Sequence, residues 1–367
     1  MTQERDVYAS FAKQAIKHPG LCYAFTNAAL LHRHMEKEFN NRLKELCPLP
    51  QVLAFPHMKM AAAQYWQRNF FSIFFLTIFD AIGISKRRQE MHGIILHAIR
   101  GIVTATDNIL DDEAKGSVQL SLQGGRVMPN IMVSLMEMGV LQESIYELAE
   151  NAKTAKETLT GITRALFALG AEESGDAGGV LTVLDPKQLL DQIHRFRGGE
   201  LFLLAFIAPE VNEPQLADKI RTAKLGVNYI GLCLQILDDL TDFEEDITNL
   251  HHNMLRSWIL HYQPDGVYDS EQLNRLDPEV LKHPEIHFRR ATQQVMHLAI
   301  EMALKGFGYL KQIGYPADGL CAQELIKTMF RLRGLKRFWD TYQQYLDSTD
   351  GPTSAGSDIN YTDYFLF

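Results

Sequence analysis

Apolar residues recur at three- and four-residue spacing through almost the whole chain, and this periodicity restricts the possible folds more than any other feature. The spacing places apolar side chains on one face of an α-helix, whereas a half-buried strand would alternate strictly. No alternating, β-branched-rich stretch lies between hairpin turns. The sequence therefore predicts an all-α protein. The predicted helices span 22–46, 61–83, 87–113, 127–150, 153–170, 187–208, 215–246, 287–313 and 319–346.

Most links between these helices are short and contain Pro or Gly, such as the stretch 209–214. Short links favour antiparallel packing of neighbouring helices into a bundle. No obvious linker divides the chain, so we predict a single-domain helical bundle over residues 1–347. The remaining residues, 348–367, form a polar and then aromatic tail.

The composition argues against several classes of protein. The chain has 367 residues and a formal net charge of −9, which argues against a nucleic-acid partner. Its four cysteines are far apart and lack metal-ligand spacing, which is typical of reduced core thiols. The most apolar stretch, 70–84, is short for a membrane span and contains Asp80, so we predict a core helix and no transmembrane segment. The first residues lack a signal-peptide pattern, and we predict a cytoplasmic protein.

Two acidic clusters stand at the ends of unusually apolar predicted helices. The first is TATDNILDDE at 104–113, in which Asp107 and Asp111 lie one turn apart on one face and Asp112 follows. The residues behind it are apolar. An acidic run at the end of such a helix is a candidate site.

The second cluster, QILDDLTDFEED at 235–246, places Asp238, Asp242 and Asp246 on one face. Like charges four residues apart destabilise a helix, and a helix C-terminus also disfavours anions. Both clusters are therefore unfavourable unless a cation offsets them. Mg²⁺ is the candidate, because it takes oxygen ligands and commonly binds one or two carboxylates together with substrate phosphates. The alternative is that each cluster is a solvated helix end.

These residues carry a resemblance to the trans-isoprenyl diphosphate synthases and, more widely, to the class I isoprenoid synthase superfamily. GLCLQILDDLTD at 231–242 is similar to the motif Gly-x-x-Phe-Gln-x-x-Asp-Asp-x-x-Asp, with Leu234 in place of Phe. DNILDDEAKG at 107–116 resembles the first aspartate-rich motif, with Asn108 in place of its second Asp. RGGELF at 197–202 resembles the Lys-Thr-Gly-x-Leu-Phe stretch that helps to hold diphosphate.

The resemblance implies an all-α bundle around a deep apolar pocket, and a homodimer. It implies that the two acidic helix ends face each other at the mouth of the pocket, where they bind three Mg²⁺ ions and a prenyl diphosphate substrate. The implied metal ligands are Asp107, Asp111, Asp112, Asp238, Asp242 and Asp246. The residues expected to contact the substrate are Arg68, Arg195, Arg197, Gly199, Gln235 and Arg337, and which arginine of the stretch 330–339 contacts the diphosphate stays open.

The sequence departs from the chain-elongating members of this family where they bind a second, five-carbon diphosphate. Their Gly-Gly-Lys-x-x-Arg-Pro is replaced by QYWQRNFF at 64–71, in which Arg68 survives. The Arg pair after the first aspartate motif is replaced by Ala114 and Lys115. Each charge-assisted phosphate contact contributes about 1.5–3 kcal/mol, so these losses would weaken a second diphosphate site.

The remaining features resemble terpene cyclases. Asp238, Asp242 and Asp246 occupy the ligand positions of the cyclase metal motif. Arg195 and Gly199 have the spacing of a cyclase arginine that senses diphosphate and a glycine at a helix break. The alternative is that the glycine packs where two helices cross.

The sequence thus favours a Mg²⁺-dependent class I terpene synthase, a lyase that ionises a prenyl diphosphate and releases pyrophosphate. In this interpretation the catalytic residues are Asp107, Asp111, Asp238, Asp242 and Arg195. Two alternatives stay open. One is a chain-elongating prenyl diphosphate synthase whose five-carbon site uses unfamiliar residues. The other is an inactive partner subunit of an active synthase.

Overall fold

A computed structural model describes residues 18–56, 62–110, 115–122, 125–173, 179–180, 182–317 and 319–346, and they are almost entirely helical. The first helices are α1 (Pro19–Leu46), α2 (Ala62–Ile82), α3 (Lys86–Leu110), α4 (Val127–Leu148) and α5 (Ala152–Glu173). They are followed by α6 (Pro186–Leu189), a π-helical segment (Leu190–Glu200), α7 (Leu201–Asn212), α8 (Ala217–Thr241) and α9 (Phe243–Thr248). The last are α10 (Met254–Tyr262), α11 (Ser270–Asn274), α12 (Pro278–Leu281), α13 (Pro284–His287), α14 (Arg289–Gln312), α15 (Gly319–Leu332) and α16 (Lys336–Leu346).

Two elements are too short for a sequence pattern to predict. Leu53–Ala54 (β1) pairs antiparallel with Gln119–Leu120 (β2), so that Leu53 lies opposite Leu120. A two-residue strand offers one alternation at most, which is why periodicity could not predict it. The all-α fold class is confirmed.

The described residues within Met1–Ala165, Leu204–Lys224 and Leu310–Pro316 form one compact unit. In this unit α3 packs along α4, and α1 packs against both α2 and α3. Its core is rich in aromatic side chains. Phe70 and Phe74 stack in parallel on α2, with ring centroids 6.3 Å apart.

A buried ion pair holds α3 within this unit. Glu213, which follows α7, accepts a hydrogen bond of 2.9 Å from His92 Nε2 and is also paired with Arg88. The stretch predicted to be a core helix, 70–84, is largely buried, and its Asp80 pairs with Lys86 at 2.7 Å. Among the described residues, no helix combines the length and the apolarity that crossing a bilayer requires.

The described residues within Leu166–Leu203, Leu225–Tyr309 and Ala317–Phe367 form the second compact unit. Here α10 packs against α6, and α15 packs against α16. Asp185 starts α6 with a capping box that is closed by Gln188. The chain therefore divides into two compact units, and the predicted boundary at residue 347 stays a prediction.

Three predicted helices are interrupted in the structure. The helix predicted at 187–208 contains the π-helical segment. The one predicted at 319–346 ends at Leu332 and resumes at Lys336, after a turn in which Gly334 has φ of +76°. The helix predicted at 215–246 ends at Thr241 and resumes at Phe243. Periodicity extends across a break of one to three residues, so these interruptions do not show in the apolar pattern.

Candidate functional site

The second acidic cluster lies at the junction of α8 and α9 in the second unit. Asp242 N donates to Asp238 O at 2.9 Å, and Asp246 N donates to Asp242 O at 2.8 Å. These bonds continue the four-residue pattern of a helix, although regular α-helix stops at Thr241. The three aspartates therefore follow one another at one-turn intervals, as the sequence predicts.

Asp239, inside the same cluster, has a structural role. It is 3% exposed and lies 3.0 Å from His194 Nε2, and it accepts hydrogen bonds from Met254 N at 2.5 Å and Gln235 Nε2 at 3.2 Å. Asn253, the N-cap of α10, adds a bond of 2.6 Å to Asp239 O. Asp239 thus joins the end of α8 to the start of α10.

Asp238 forms a two-point ion pair with Arg333. Arg333 Nη1 lies 2.9 Å from Asp238 Oδ1, and Nη2 donates to Oδ2 at 3.2 Å. The pKa of Asp238 is raised to about 7, mainly by burial and also by the charges of Asp242 and Asp239, against the lowering effect of Arg333. The guanidinium group of Arg333 therefore pairs with this carboxylate.

Asp246 lies in a similarly anionic setting. Burial, followed by the charge of Asp239, raises the pKa of Asp246 to about 8. Asn253 Nδ2 donates to Asp246 Oδ2 at 2.8 Å, and the positive charge of Arg197 lowers the pKa. Burial and the neighbouring carboxylates both oppose the ionisation of Asp238 and Asp246. A nearby cation would favour their ionised forms.

The chemistry of these donors fits Mg²⁺. Asp238, Asp242 and Asp246 offer carboxylate oxygens, which Mg²⁺ prefers. Within the described ranges, no group of three or more His, Cys, Asp or Glu side chains is arranged to hold a metal ion. Mg²⁺ does not require such a group, because it usually keeps several waters and binds one or two carboxylates with substrate phosphates.

Close packing explains the glycines of the π-helical segment. A Cβ at Gly198 would lie 2.5 Å from Gly231 O on α8, and a Cβ at Gly199 would collide with the Asn228 side chain. Both glycines are buried. The alternative of a packing glycine at a helix crossing is therefore supported for Gly198 and Gly199, and the feature that pointed to a cyclase has a structural explanation.

Gly198→Ala is expected to destabilise the protein by about 1–3 kcal/mol, because the neighbour of the new methyl group is backbone and cannot rotate away. Gly199→Ala should cost less, since the Asn228 side chain can move. Denaturant unfolding of both variants would measure the difference. Equal stabilities for wild type and Gly198→Ala would contradict the close approach of the two helices.

The predicted arginines lie in different surroundings. The side chain of Arg195 is 54% exposed, with Nε 3.7 Å from Glu200 Oε1. Arg197 is half-buried, and of these two arginines it is the one whose charge acts on Asp246. Arg337 lies 3.6 Å from Glu285, while Arg333 makes the contact with Asp238. The roles assigned to Arg195, Arg197 and Arg337 stay predictions.

In the first unit, Asp107 is exposed near the end of α3, while the following Asn108 is buried. Asn108 Nδ2 donates to Lys115 O at 2.5 Å, and Lys115 N donates to Asn108 Oδ1 at 2.9 Å. Asn108 Nδ2 also lies 3.2 Å from Asn130 Oδ1 on α4. The side chain at position 108 must therefore donate one hydrogen bond and accept another. An amide can do both, whereas an aspartate carboxylate can only accept. Asp111 and Asp112 lie outside the described residues.

A cavity of about 300 Å³ lies beside this loop, wholly within the first unit. Its lining residues include three cationic ones, Arg68, Arg100 and Lys115. Its other lining residues are His97, Gly101, Thr104, Ala105, Asn108, Gly116, Ser117, Val118, Asn130, Val133 and Glu137. This cavity differs from the deep apolar pocket that the resemblance implies, which stays a prediction.

The two arginines are held close to each other on neighbouring helices. Arg68 Nη2 donates to Gly116 O at 2.7 Å, and Arg100 Nη1 donates to Ser72 Oγ at 3.2 Å. Burial and the charge of Arg100 lower the pKa of Arg68 to about 10. Gly116 has φ of +129°, a conformation that favours glycine. Repulsion between like charges in a partly dry cavity is relieved by a bound anion.

Glu137 is the acidic side chain of this cavity. It is 1% exposed, and burial raises its pKa from 4.5 to about 8 although Arg100 lowers it. Between pH 4.5 and pH 8, Glu137 keeps its proton in the folded protein, whereas the same side chain has lost it in the unfolded chain. Stability should therefore fall as the pH rises from 4.5 to 8.

Glu137→Gln should remove this pH dependence, because an amide does not titrate. Relative to the variant, wild-type protein is expected to lose up to about 1.4 kcal/mol of unfolding free energy per pH unit between pH 5 and 8. Urea unfolding of both proteins at pH 5, 6.5 and 8 would measure it. Parallel stability curves would contradict a neutral Glu137 in the folded state.

The architecture built by these helices is the all-α isoprenoid synthase fold, as comparison with solved structures shows. The chain is similar to a decaprenyl diphosphate synthase from Rhodobacter capsulatus, with a TM-score of 0.59, 11% identity and coverage of 86% of this chain and 98% of the other. It is also similar to a geranylgeranyl pyrophosphate synthase from Lactobacillus brevis, with a TM-score of 0.54, 11% identity and coverage of 88% and 99%. A third match is a geranylgeranyl pyrophosphate synthetase from Pyrococcus horikoshii, with a TM-score of 0.53, 12% identity and coverage of 82% and 98%. No family model and no curated protein sequence matches the chain.

Several residues of the candidate sites were not among those predicted from the sequence. Arg100 and Glu137 belong to no motif, and Asn108 was noted only as a departure. Arg333 is one of the arginines of the stretch 330–339 among which the sequence left the choice open. One signal was available: Arg100 interrupts the otherwise apolar and small-residue stretch GIILHAIRGIV, where a charge requires a buried partner or a ligand.

Proposed function

We propose that this protein is a prenyl diphosphate synthase that elongates an allylic diphosphate with a five-carbon diphosphate. One observation carries the proposal: the cavity that contains Arg68, Arg100 and Lys115 within the first unit. Three cations around one cavity suit a diphosphate, which carries several negative charges. Similarity to solved structures named as polyprenyl and geranylgeranyl diphosphate synthases supports the same proposal.

The loss of the usual cationic motif is the main objection to chain elongation, and the cationic residues of the cavity support a different source of that charge. Only Arg68 survives from that motif, but Arg100 comes from the next helix and Lys115 from the loop that Asn108 holds. Three cations from three segments can supply the charge that the missing Lys and Arg residues would have supplied. This is the alternative in which the five-carbon site uses unfamiliar residues.

The carboxylates are proposed to serve the allylic substrate. Asp107 of the first acidic cluster, and Asp238 and Asp242 of the second, would each hold Mg²⁺, with Arg197 adding positive charge near the second cluster. Bound Mg²⁺ neutralises charge on a leaving diphosphate and so assists cleavage of the allylic C–O bond. The side chains of the cavity would hold the five-carbon diphosphate while its double bond forms the new carbon–carbon bond and a proton is lost. The homodimer and the cytoplasmic location stay predictions.

A product assay separates the three possible functions. The protein is incubated with Mg²⁺ and ten-, fifteen- or twenty-carbon allylic diphosphates, with and without isopentenyl diphosphate. Chain elongation predicts a longer diphosphate only when isopentenyl diphosphate is present. A hydrocarbon or alcohol formed from the allylic diphosphate alone would identify a terpene synthase instead. No turnover, together with no thermal shift on adding Mg²⁺ and pyrophosphate, would identify an inactive partner subunit.

A further inference from the structure

Glu137 is a buried acid placed within a cavity that otherwise offers positive charge. Its Oε2 is buried and receives no hydrogen bond from any described residue. Gly101 on α3 makes room for it, because a Cβ at that position would collide with the carboxyl group. The helix packing is thus built around a carboxyl group that lines the cavity and has bonding capacity left over.

The groups that act on this acid come from several elements around the cavity. Arg100 of α3 acts on Glu137 directly through its charge. Arg68 of α2, His97 of α3 and Lys115 of the loop line the same cavity, and Glu36 of α1 acts through its charge on both arginines. Arg100 keeps accessible surface although neighbouring atoms surround it on most sides, and it lines the same cavity as Glu137. Because the charge of Arg100 acts on Glu137, an anion bound to Arg100 in this cavity would also feel the charge state of the acid.

A carboxyl group in this place has two opposite effects on an anion. The neutral acid is a hydrogen-bond donor, and its O–H can bond to a phosphate oxygen. The ionised form offers only acceptors and repels a nearby anion, with little screening inside the protein. Burial favours the neutral form of Glu137 near neutral pH, because it raises the pKa to about 8.

We infer that Glu137 makes diphosphate binding in this cavity depend on its own protonation: the neutral acid donates a hydrogen bond to the bound anion, and ionisation expels the anion. The inference rests on the proposed function, because it assigns this cavity to a diphosphate. It adds a further specificity-determining residue and a pH limit to the site. As the pH rises, the cavity loses its anion because Glu137 ionises.

Inorganic pyrophosphate is the probe, titrated by calorimetry into the full chain in the presence of EDTA, so that binding does not depend on added Mg²⁺. Between pH 7 and 9 the wild-type affinity should fall about tenfold more than that of Glu137→Gln, in which the amide imitates the neutral acid. This factor follows from a group with a pKa of about 8, which is about nine-tenths protonated at pH 7 and one-tenth at pH 9. Glu143→Gln, which removes an exposed carboxylate from the same helix, should keep the wild-type profile.

Each outcome of this experiment bears on the inference. Parallel pH profiles for wild type and Glu137→Gln would overturn it, and if Arg68→Gln still weakened binding, the proposed function would stand. Failure of pyrophosphate to bind at any pH would overturn both. Should Glu137→Gln fail to fold, sulfate provides a second measurement, because it has no proton to exchange in this range. Wild-type protein should take up protons on binding sulfate at pH 8, and the absence of uptake would overturn the inference.

Discussion

Replacing Asp238 with Asn is expected to lower kcat about 10²- to 10⁴-fold while leaving most of the folding stability intact. Loss of a charged metal ligand removes several kcal/mol of transition-state stabilisation, and each 1.36 kcal/mol is a factor of ten. The substitution keeps the shape of the side chain. Its partner Arg333 is 39% exposed and can stay hydrated. Steady-state kinetics at saturating Mg²⁺ and both substrates would measure the loss.

Asp239→Asn is the matched control, since the two aspartates are adjacent and differ in their contacts. Asp239 is buried against His194 and accepts a hydrogen bond from Met254 N, so the NH₂ group of an amide there would point at other hydrogen-bond donors. Each buried donor that loses its acceptor costs about 1–3 kcal/mol. We expect Asp239→Asn to lower the melting temperature strongly and Asp238→Asn to lower it little. The opposite order, or unchanged kcat for Asp238→Asn, would remove Asp238 from the proposed metal site.

Replacing Arg68 with Gln is expected to lower kcat/KM for isopentenyl diphosphate about 10- to 150-fold. The estimate is the loss of one charge-assisted phosphate contact of about 1.5–3 kcal/mol. The KM for the allylic diphosphate should change little, because we assign that substrate to the carboxylates. Initial rates with each substrate varied in turn would separate the two effects.

Arg87→Gln serves as the control for Arg68→Gln. Arg87 is exposed at the start of α3 and does not line the cavity, so its replacement removes the same charge without a contact to the anion. We expect wild-type kinetics from this control. A loss in Arg68→Gln that appears equally for both substrates would contradict a separate five-carbon site.

The choice between cyclase and elongase depends on contacts that a sequence motif does not record. The sequence lacks the cationic residues at the positions where elongating enzymes carry them, and a cyclase seemed the better explanation. In the structure, Arg100 lies near Arg68 because α2 and α3 pack side by side, although the two residues are 32 positions apart. Cations that meet across two helices leave no local motif. Similarly, Gly199, whose spacing from Arg195 suggested a cyclase, lies where the π-helical segment packs closely against α8.

The sequence by itself determined the helical architecture and the spacing of the second acidic cluster. Apolar periodicity and backbone hydrogen bonding are local, so the helices and the one-turn spacing of Asp238, Asp242 and Asp246 follow from neighbours in the chain. Only the tertiary structure decided which residues contact one another. Asp239 accepts a hydrogen bond from the start of α10, and Asp238 pairs with Arg333. Glu137 lines a cavity together with Arg68 and Arg100. These contacts join residues that are distant in sequence, and their energies depend on burial and on the geometry of packed helices, neither of which a local pattern encodes.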